Sequence, residues 1–264
     1  MIERPMGPLP LDVPVPGASF TDLLELVGAG PALTIPAGAS MPSVPEGTTV
    51  LALRYEGGVV MAGDRRATEG HLVAHRRIRK VFRADEYSAV AIAGTAGLAI
   101  DMVHLFQVEL EHYEKIEGIR LSLEGKASFL ARLVRAQLPL AFQGLVVVPL
   151  FAGYDERVES GRVYSFDAIG GRYEEIEFGS TGSGSRLARA YLRTVYRDDL
   201  DADEAAVLVV EALVSAAQED TATGGPDLRR GILPNVVRID PDGFEELADE
   251  TVRPIAESAV ETIQ

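Results

Sequence analysis

Cysteine and tryptophan are absent from this 264-residue sequence, and histidine occurs only four times. Without cysteine the chain cannot form a disulfide framework, a thiolate metal site or a cysteine nucleophile. The histidines, His71, His75, His104 and His112, show none of the spacings typical of metal ligands. We therefore expect neither a metal ion nor another cofactor.

Long apolar runs are missing as well. No run of about 18 apolar residues occurs, and the first residues lack a basic region followed by an apolar one. We therefore expect no membrane span and a cytoplasmic location. The net charge of −15 argues against a nucleic-acid partner, because phosphates require a basic surface.

Proline is scarce after residue 47 and dense before it: nine of the fifteen prolines lie in residues 1–47. This density disrupts both helices and sheets, so residues 1–47 are predicted to form an extended arm with one short helix in SFTDLLELVGAG. Residues 48–264 are predicted to form one folded domain. From about residue 249 they are expected to form an acidic, solvated tail, because residues 240–264 carry eight acids against Arg253 alone.

The pattern of apolar residues predicts the fold class. From Thr48, the stretches TTVLALRY and GVVMAGD alternate as the two strands of a hairpin do. Strand pairs, two helices, more strands and two further helices follow in that order, which differs from the βαβ alternation of a parallel sheet. We expect an α+β fold, a four-layer α/β/β/α sandwich of two antiparallel sheets flanked by helix pairs. The predicted helices span roughly 95–117, 122–143, 184–196 and 202–218.

Thr48 stands where the arm meets the first strand. A threonine hydroxyl is a weak nucleophile unless a base takes its proton, and an α-amino group of pKa roughly 7.7 to 8.0 is such a base. Cleavage between Gly47 and Thr48 would give Thr48 this amine. On the two threonines alone, an ordinary strand start is the favoured interpretation. Asp64 ends the second strand and Lys80 opens another, so a buried ion pair beside the Thr48 hydroxyl could favour its ionisation.

Several motifs together resemble the catalytic β subunits of proteasome core particles, most closely the actinobacterial type. They include GTTVLALRYEGGVVMAGDRRAT, IAGTAG, VELEHYEKIEG, GSGS and DTATGGPDLRRGI, and the resemblance covers positions 47 to 248. It implies that the Thr48 hydroxyl attacks the peptide carbonyl and that Asp64 and Lys80 complete the catalytic core. It also implies that the backbone N–H of Gly94 binds the oxyanion, and that residues 1–47 are a propeptide removed by autocatalysis.

Two further loops receive roles from this resemblance alone. Ser183 and Asp220 would orient the terminal amine, and Thr223 stands where many relatives have a serine, so a hydroxyl is kept. Read without the family, TGSGS is a loop that caps a helix and IAGTAG is a tight turn after a strand.

The resemblance also implies a substrate pocket whose side chains are uncharged, with the backbone of Thr68 pairing to an extended substrate. Such a pocket favours an apolar residue before the cut bond. Plain core packing is the alternative for these positions, with equal weight for Phe82 and Ile100. The predicted lining residues are Ala67, Ile78, Phe82, Ile92, Ala96 and Ile100.

Three functions remain open at this point. The first is a threonine protease, made as a zymogen, that degrades unfolded proteins inside a particle. The resemblance implies homo-oligomeric heptameric β rings, stacked on rings of proteasome α subunits in a four-ring particle with an ATP-dependent or other ring activator. The second is a non-catalytic structural ring subunit, which the intact set of Thr48, Asp64 and Lys80 disfavours. The third is a small-molecule amidase of the same fold, which would need no ring chamber.

Overall fold

The computed structural model describes residues 47–69 and 72–263. The predicted propeptide and its short helix lie outside this range, apart from Gly47. The hairpin predicted from the first two stretches is confirmed. It belongs to a five-stranded antiparallel sheet with β1 (Thr49–Tyr55), β2 (Gly58–Gly63), β10 (Phe178–Gly182), β11 (Asn235–Asp240) and β12 (Gly243–Glu246), in the order β10–β1–β2–β11–β12.

A second five-stranded antiparallel sheet packs on the first and has the order β5–β6–β7–β8–β9. Its strands are β5 (Val81–Asp85), β6 (Ser88–Gly94), β7 (Val147–Asp155), β8 (Ser160–Phe166) and β9 (Arg172–Glu175). A separate two-stranded hairpin, β3 (Ala67–Glu69) and β4 (Leu72–His75), follows β2 and precedes β5 in the sequence. This hairpin was not predicted.

Strand β1 shows why two sheets and two helix layers form. Val50 and Ala52 face the second sheet, whereas Leu51 and Leu53 face helices on the other side, and all four are fully buried. Because successive strand residues point to opposite faces, a strand that is apolar at every position needs a cover on both faces.

The helices supply those covers, and the four-layer α/β/β/α sandwich is confirmed. Helices α1 (Ala96–Glu117), α2 (Leu123–Ala136) and α3 (Leu138–Ala141) follow β6, with α1 and α2 on the second sheet. Helices α4 (Ser185–Val195), α5 (Ala202–Glu219) and α6 (Asp249–Ile263) pack on the first. The single helix predicted over 122–143 ends at Ala136, and a short helix with Pro139 in its first turn follows. In the described part of the chain, no helix is long and apolar enough to cross a membrane.

The acidic C-terminal segment differs from the predicted solvated tail. It forms helix α6, which buries Val252, Ala256 and Ala259 against the core between α5 and the first sheet. The acids point elsewhere, and spacings of three and four residues place the buried side chains on one helix face. Counting charges overlooked this apolar face.

Candidate active site

Thr48 lies immediately before β1, and its backbone is held between the ends of two strands. The backbone N–H of Ser183 donates to the carbonyl oxygen of Thr48 at 2.9 Å. The backbone N–H of Thr49 donates to Asp64 Oδ1 at 2.8 Å. Gly182 has φ +100°, and a Cβ there would lie 1.8 Å from the Thr48 carbonyl oxygen. Only glycine therefore fits where β10 passes Thr48.

Asp64 follows β2 and is fully buried, with both carboxylate oxygens occupied by donors. Oδ1 accepts from Lys80 Nζ at 2.6 Å, in addition to Thr49. Oδ2 accepts from the backbone N–H groups of Arg66 and Gly224, each at 2.9 Å. Three backbone donors and one ammonium therefore contact the carboxylate and fix its orientation.

Lys80 is buried and reaches the backbone just before Thr48. Its Nζ lies 3.3 Å from the carbonyl oxygen of Gly47, besides its contact with Asp64. Burial lowers the pKa of Lys80 below its ordinary value of 10.5, although the charge of Asp64 acts in the opposite direction. A buried lysine ammonium that touches a peptide carbonyl can polarise that carbonyl, and its lowered pKa makes the proton easier to transfer.

A chain of hydroxyl groups connects Thr48 to Asp220 through the adjacent loops. Ser183 Oγ donates to Asp220 Oδ2 at 2.5 Å, and Thr223 Oγ1 donates to the same oxygen. Thr49 Oγ1 lies 2.6 Å from Thr223 Oγ1 and accepts from the backbone N–H of Gly184, next to Ser183, at 2.9 Å. Because the Thr223 proton is already committed to Asp220, Thr49 is the donor to Thr223.

The Asp220 carboxylate is held in its charged form by this network. Burial alone would raise its pKa, but the hydrogen bonds from Ser183 and Thr223, with two backbone N–H groups, lower it below the ordinary value of 3.8. Asp220 therefore presents a fixed negative charge close to Thr48, where it favours a cation such as a terminal ammonium.

Gly94 ends β6 and has φ +111°, a conformation that L side chains rarely adopt. A Cβ there would lie 2.1 Å from the carbonyl oxygen of Val146, so glycine is required on steric grounds too. These constraints explain the residue type. The oxyanion role of its N–H stays a prediction.

The predicted pocket residues fall into different environments. Ile92 is buried in the core between the second sheet and its helices, and Phe82 is half-buried against the same core. Ala96 and Ile100 are exposed on the first turns of α1, whereas Ala67 belongs to β3. A pocket formed by these side chains stays a prediction.

Ile78 and Thr68 have more specific surroundings. Ile78 borders an open cleft of about 560 Å³ whose other lining residues include three arginines, which was not predicted. The hydroxyl oxygen of Thr68 lies only 2.2 Å from where a Cβ on Gly47 would be. Thr68 therefore contacts the backbone at the predicted cleavage point through its side chain.

The sequence reasoning missed three contributors to the site. Thr49 was interpreted only as a β-branched strand residue, and Gly224 and Gly184 were not singled out. The two glycines allow close approach, since a Cβ on Gly184 would lie 2.6 Å from the Thr49 hydroxyl oxygen and one on Gly224 would lie 2.7 Å from Arg66 Cβ. The paired threonines were the available signal for Thr49. Backbone donors such as Gly224 leave no side-chain signal.

Comparison with known proteins gives consistent matches. A sequence model of the family described as Proteasome subunit matches residues 44–227. The chain is 53% identical over 262 residues to a proteasome subunit beta of Acidothermus cellulolyticus, covering 96% of this chain and 90% of that protein. It is 51% identical over 265 residues to that of Streptomyces griseus, covering 98% and 93%. Identity to that of Acidimicrobium ferrooxidans is 54% over 241 residues, covering 91% and 88%.

Proposed function

The chain belongs to the proteasome subunit family, and on this premise we propose that it is a catalytic β subunit, a threonine-type endopeptidase. Members of this family assemble into multi-subunit particles. The observation that carries the proposal is the position of Lys80. Its ammonium contacts both Asp64 and the carbonyl oxygen of Gly47, the residue directly before Thr48.

The first reaction is self-cleavage. The Thr48 hydroxyl oxygen attacks the carbonyl carbon of Gly47 and passes its proton to a base, while Lys80 donates to the carbonyl oxygen as it gains negative charge. The bond between that carbon and the Thr48 nitrogen breaks, and the nitrogen takes up a proton. Water then hydrolyses the resulting ester, which releases the propeptide carboxylate and regenerates the Thr48 hydroxyl beside the amine already freed.

The second reaction is peptide hydrolysis by the processed chain. The Thr48 amine accepts the hydroxyl proton, and the oxygen attacks a substrate carbonyl. The negative charge of Asp220, whose carboxylate accepts a hydrogen bond from Ser183, is proposed to orient this amine. The backbone N–H of Gly94 is proposed to bind the oxyanion. The leaving amine takes the proton, and water resolves the acyl-enzyme. We propose that the enzyme prefers substrates with an apolar residue before the cut bond, because the residues predicted for the pocket are uncharged.

Intact-mass measurement tests the self-cleavage. Wild-type chain should yield a product that begins at Thr48, with 264 − 47 = 217 residues. Thr48→Ala removes the nucleophile but keeps the backbone contacts of Ser183 and Asp64, so it should keep the full-length mass. A new terminus at position 48 in that variant would contradict self-cleavage.

The particle is proposed to consist of heptameric rings of this chain stacked with rings of α subunits and opened by a ring activator. Unfolded proteins are its proposed substrates, and the cytoplasmic location stays a prediction from the sequence. Native mass spectrometry of the chain co-expressed with a candidate α subunit checks the assembly. A monomeric chain that hydrolyses small amides would instead favour the amidase alternative, and an assembled, unprocessed and inactive chain would favour the structural subunit.

A further inference from the structure

Asn235 is a buried polar residue that none of the steps above uses. It opens β11, is only 3% exposed, and pairs across the sheet with Gly63, the residue before Asp64. Its Oδ1 accepts from the backbone N–H of Val81 at 3.2 Å, and its Nδ2 donates to the Glu246 carboxylate at 2.9 Å. Since a backbone N–H only donates and a carboxylate only accepts, these partners fix the orientation of the amide.

The bond to Val81 acts on the backbone of Lys80. The C=O of Lys80 and the N–H of Val81 belong to one peptide unit and point in opposite directions. That C=O accepts from the N–H of Ile92 on β6 at 3.0 Å, so the N–H faces away from the sheet. In the described part of the chain β5 is an edge strand, and the Asn235 side chain serves this N–H in place of a neighbouring strand.

We propose that Asn235 is a positioning residue for Lys80, an inference that rests on the function proposed above. The Lys80 ammonium must reach Asp64 Oδ1 and the Gly47 carbonyl oxygen together, at 2.6 and 3.3 Å. Asp64 sits on the first sheet and Lys80 at the edge of the second. Asn235 joins these two sheets beside both residues, so it sets the distance between them.

The packing around Lys80 makes this distance sensitive to small movements. A Cβ built on Gly63 would lie 3.2 Å from Lys80 Cβ, so the start of β5 lies close against the end of β2. If the hydrogen bond from Val81 is lost, its N–H is buried without a partner, and the strand start must shift to find one. A shift of about 1 Å at reacting groups lowers rates severely.

Glu246 keeps the Asn235 amide in this orientation. Its carboxylate accepts from Asn235 and forms an ion pair with Arg79 at the surface. The Arg79 and Glu246 side chains are 49% and 36% exposed, so their ion pair contributes little by itself. The hydrogen bond to Asn235 is the part of this contact that reaches the site.

A charge-conserving exchange of the two side chains tests the proposal in the assembled, processed protein produced from the full-length chain. Asn235→Asp places a carboxylate against Glu246 and removes the donor between them. In the double variant Asn235→Asp with Glu246→Gln, the new glutamine amide donates to the new aspartate, so the hydrogen bond is restored in the opposite direction. The aspartate keeps an oxygen that accepts from the Val81 N–H. Asn235→Ser removes the contact without adding charge, in case the aspartate variant does not fold. Arg79→Gln is the control for loss of the surface ion pair.

We expect kcat for an apolar peptide to fall about tenfold in Asn235→Asp and Asn235→Ser, with KM changed by less than about twofold. The double variant should recover to within about threefold of wild type, and Arg79→Gln should stay within about twofold. A purely structural role would lower the thermal midpoint and leave kcat of the assembled enzyme unchanged. Unchanged kcat in both single variants, or no recovery in a folded double variant, would overturn the proposal.

Lys80→Ala measured in parallel separates this inference from the proposed function. If wild type cleaves and Lys80→Ala does not, the function stands, and unchanged Asn235 variants then reject only the positioning role. If Lys80→Ala cleaves normally, the proposed function itself is wrong.

Discussion

Two buried lysines in this chain pair with aspartates, and only one of the pairs lies at the candidate site. Lys80 with Asp64 joins β5 to β2 across the two sheets. Lys126, on α2, pairs with Asp85 at the end of β5, on the side of the second sheet that faces the helices. Both lysines are less than 5% exposed. Residue type and burial therefore do not distinguish them.

The partners of the two carboxylates differ. Asp85 accepts from the hydroxyl of Ser88 at 2.5 Å and from the backbone N–H of Tyr87 at 3.2 Å, which ties the turn between β5 and β6 to α2. Ser88 is fully buried and its proton is committed to Asp85, so it is inaccessible to a substrate. A lysine, a carboxylate and a hydroxyl together are thus not sufficient for chemistry.

The pair of Lys80 and Asp64 also contacts the backbone on either side of Thr48. Lys80 also contacts the carbonyl of Gly47, and Asp64 holds the backbone N–H of Thr49. What marks this pair is its contact with a peptide bond that could react. The comparison suggests where changes should affect activity and where they should affect stability.

The largest expected effect is that of Lys80→Ala. Self-cleavage and peptide hydrolysis should both be abolished, because no other cation reaches the Gly47 carbonyl among the described contacts. Lys80→Arg should not restore activity, since a planar guanidinium cannot take the place of a compact ammonium. Intact mass and peptide turnover measure both. A Lys80→Ala protein with near-normal turnover would remove the distinction between the two pairs.

Gly47→Ala should slow self-cleavage by about tenfold or more, because the new methyl group would overlap the Thr68 hydroxyl and displace the carbonyl from Lys80. The double variant with Thr68→Ala removes that overlap and should recover part of the rate. Time courses of the intact mass measure this. Equal rates in wild type and Gly47→Ala would show that the fit between Gly47 and Thr68 is unimportant.

Lys126→Ala should lower the free energy of unfolding by about 3 kcal/mol, since it leaves the mostly buried Asp85 without its cation. Cleavage at Thr48 and kcat per folded chain should stay unchanged. Chemical denaturation and turnover, measured on the same preparation, check both halves. Loss of kcat in a fully folded Lys126→Ala protein would show that the second pair also serves the reaction.

Asp220 provides the smallest effect, which is present at neutral pH and is lost in acid. Its folded-state pKa is below the ordinary 3.8, so its contribution to stability is present above that pH and is lost as the pH falls through the lowered value. Asp220→Asn should therefore be less stable than wild type at neutral pH and should approach it below pH 3.8. Denaturation midpoints measured across this range test the sign. A difference that grows as the pH falls would contradict it.

The layers could be predicted from sequence, and so could the closeness of Asp64 and Lys80 to the residues before β1; the reasons are physical. Alternating apolar strands require two covered faces, and the motifs around Thr48, Asp64 and Lys80 are specific. Helix α6 was missed because its acids obscured a narrow apolar face. Lys126 was missed because pairing with Asp85 depends on a helix crossing a sheet, which no local pattern encodes.

Contacts made by the backbone were also beyond prediction. The bonds from Arg66 and Gly224 to Asp64 depend on where loops pass, and not on side-chain identity. Asn235 lies at a strand start, where an asparagine is unremarkable in sequence. Its role emerges only from the edge position of β5.

The dependence of Asp64 on Gly224 bears on the order of events during synthesis. The two residues are 160 positions apart, and Gly224 leaves the ribosome long after Thr48, Asp64 and Lys80. Until that late loop arrives, Oδ2 of Asp64 has only the backbone N–H of Arg66 as a donor, and Asp220 and Thr223 are missing from the neighbourhood of Thr48. A nascent chain thus carries Thr48, the proposed nucleophile, first and the groups that surround it last. A chain that is still being synthesised therefore lacks part of the candidate site.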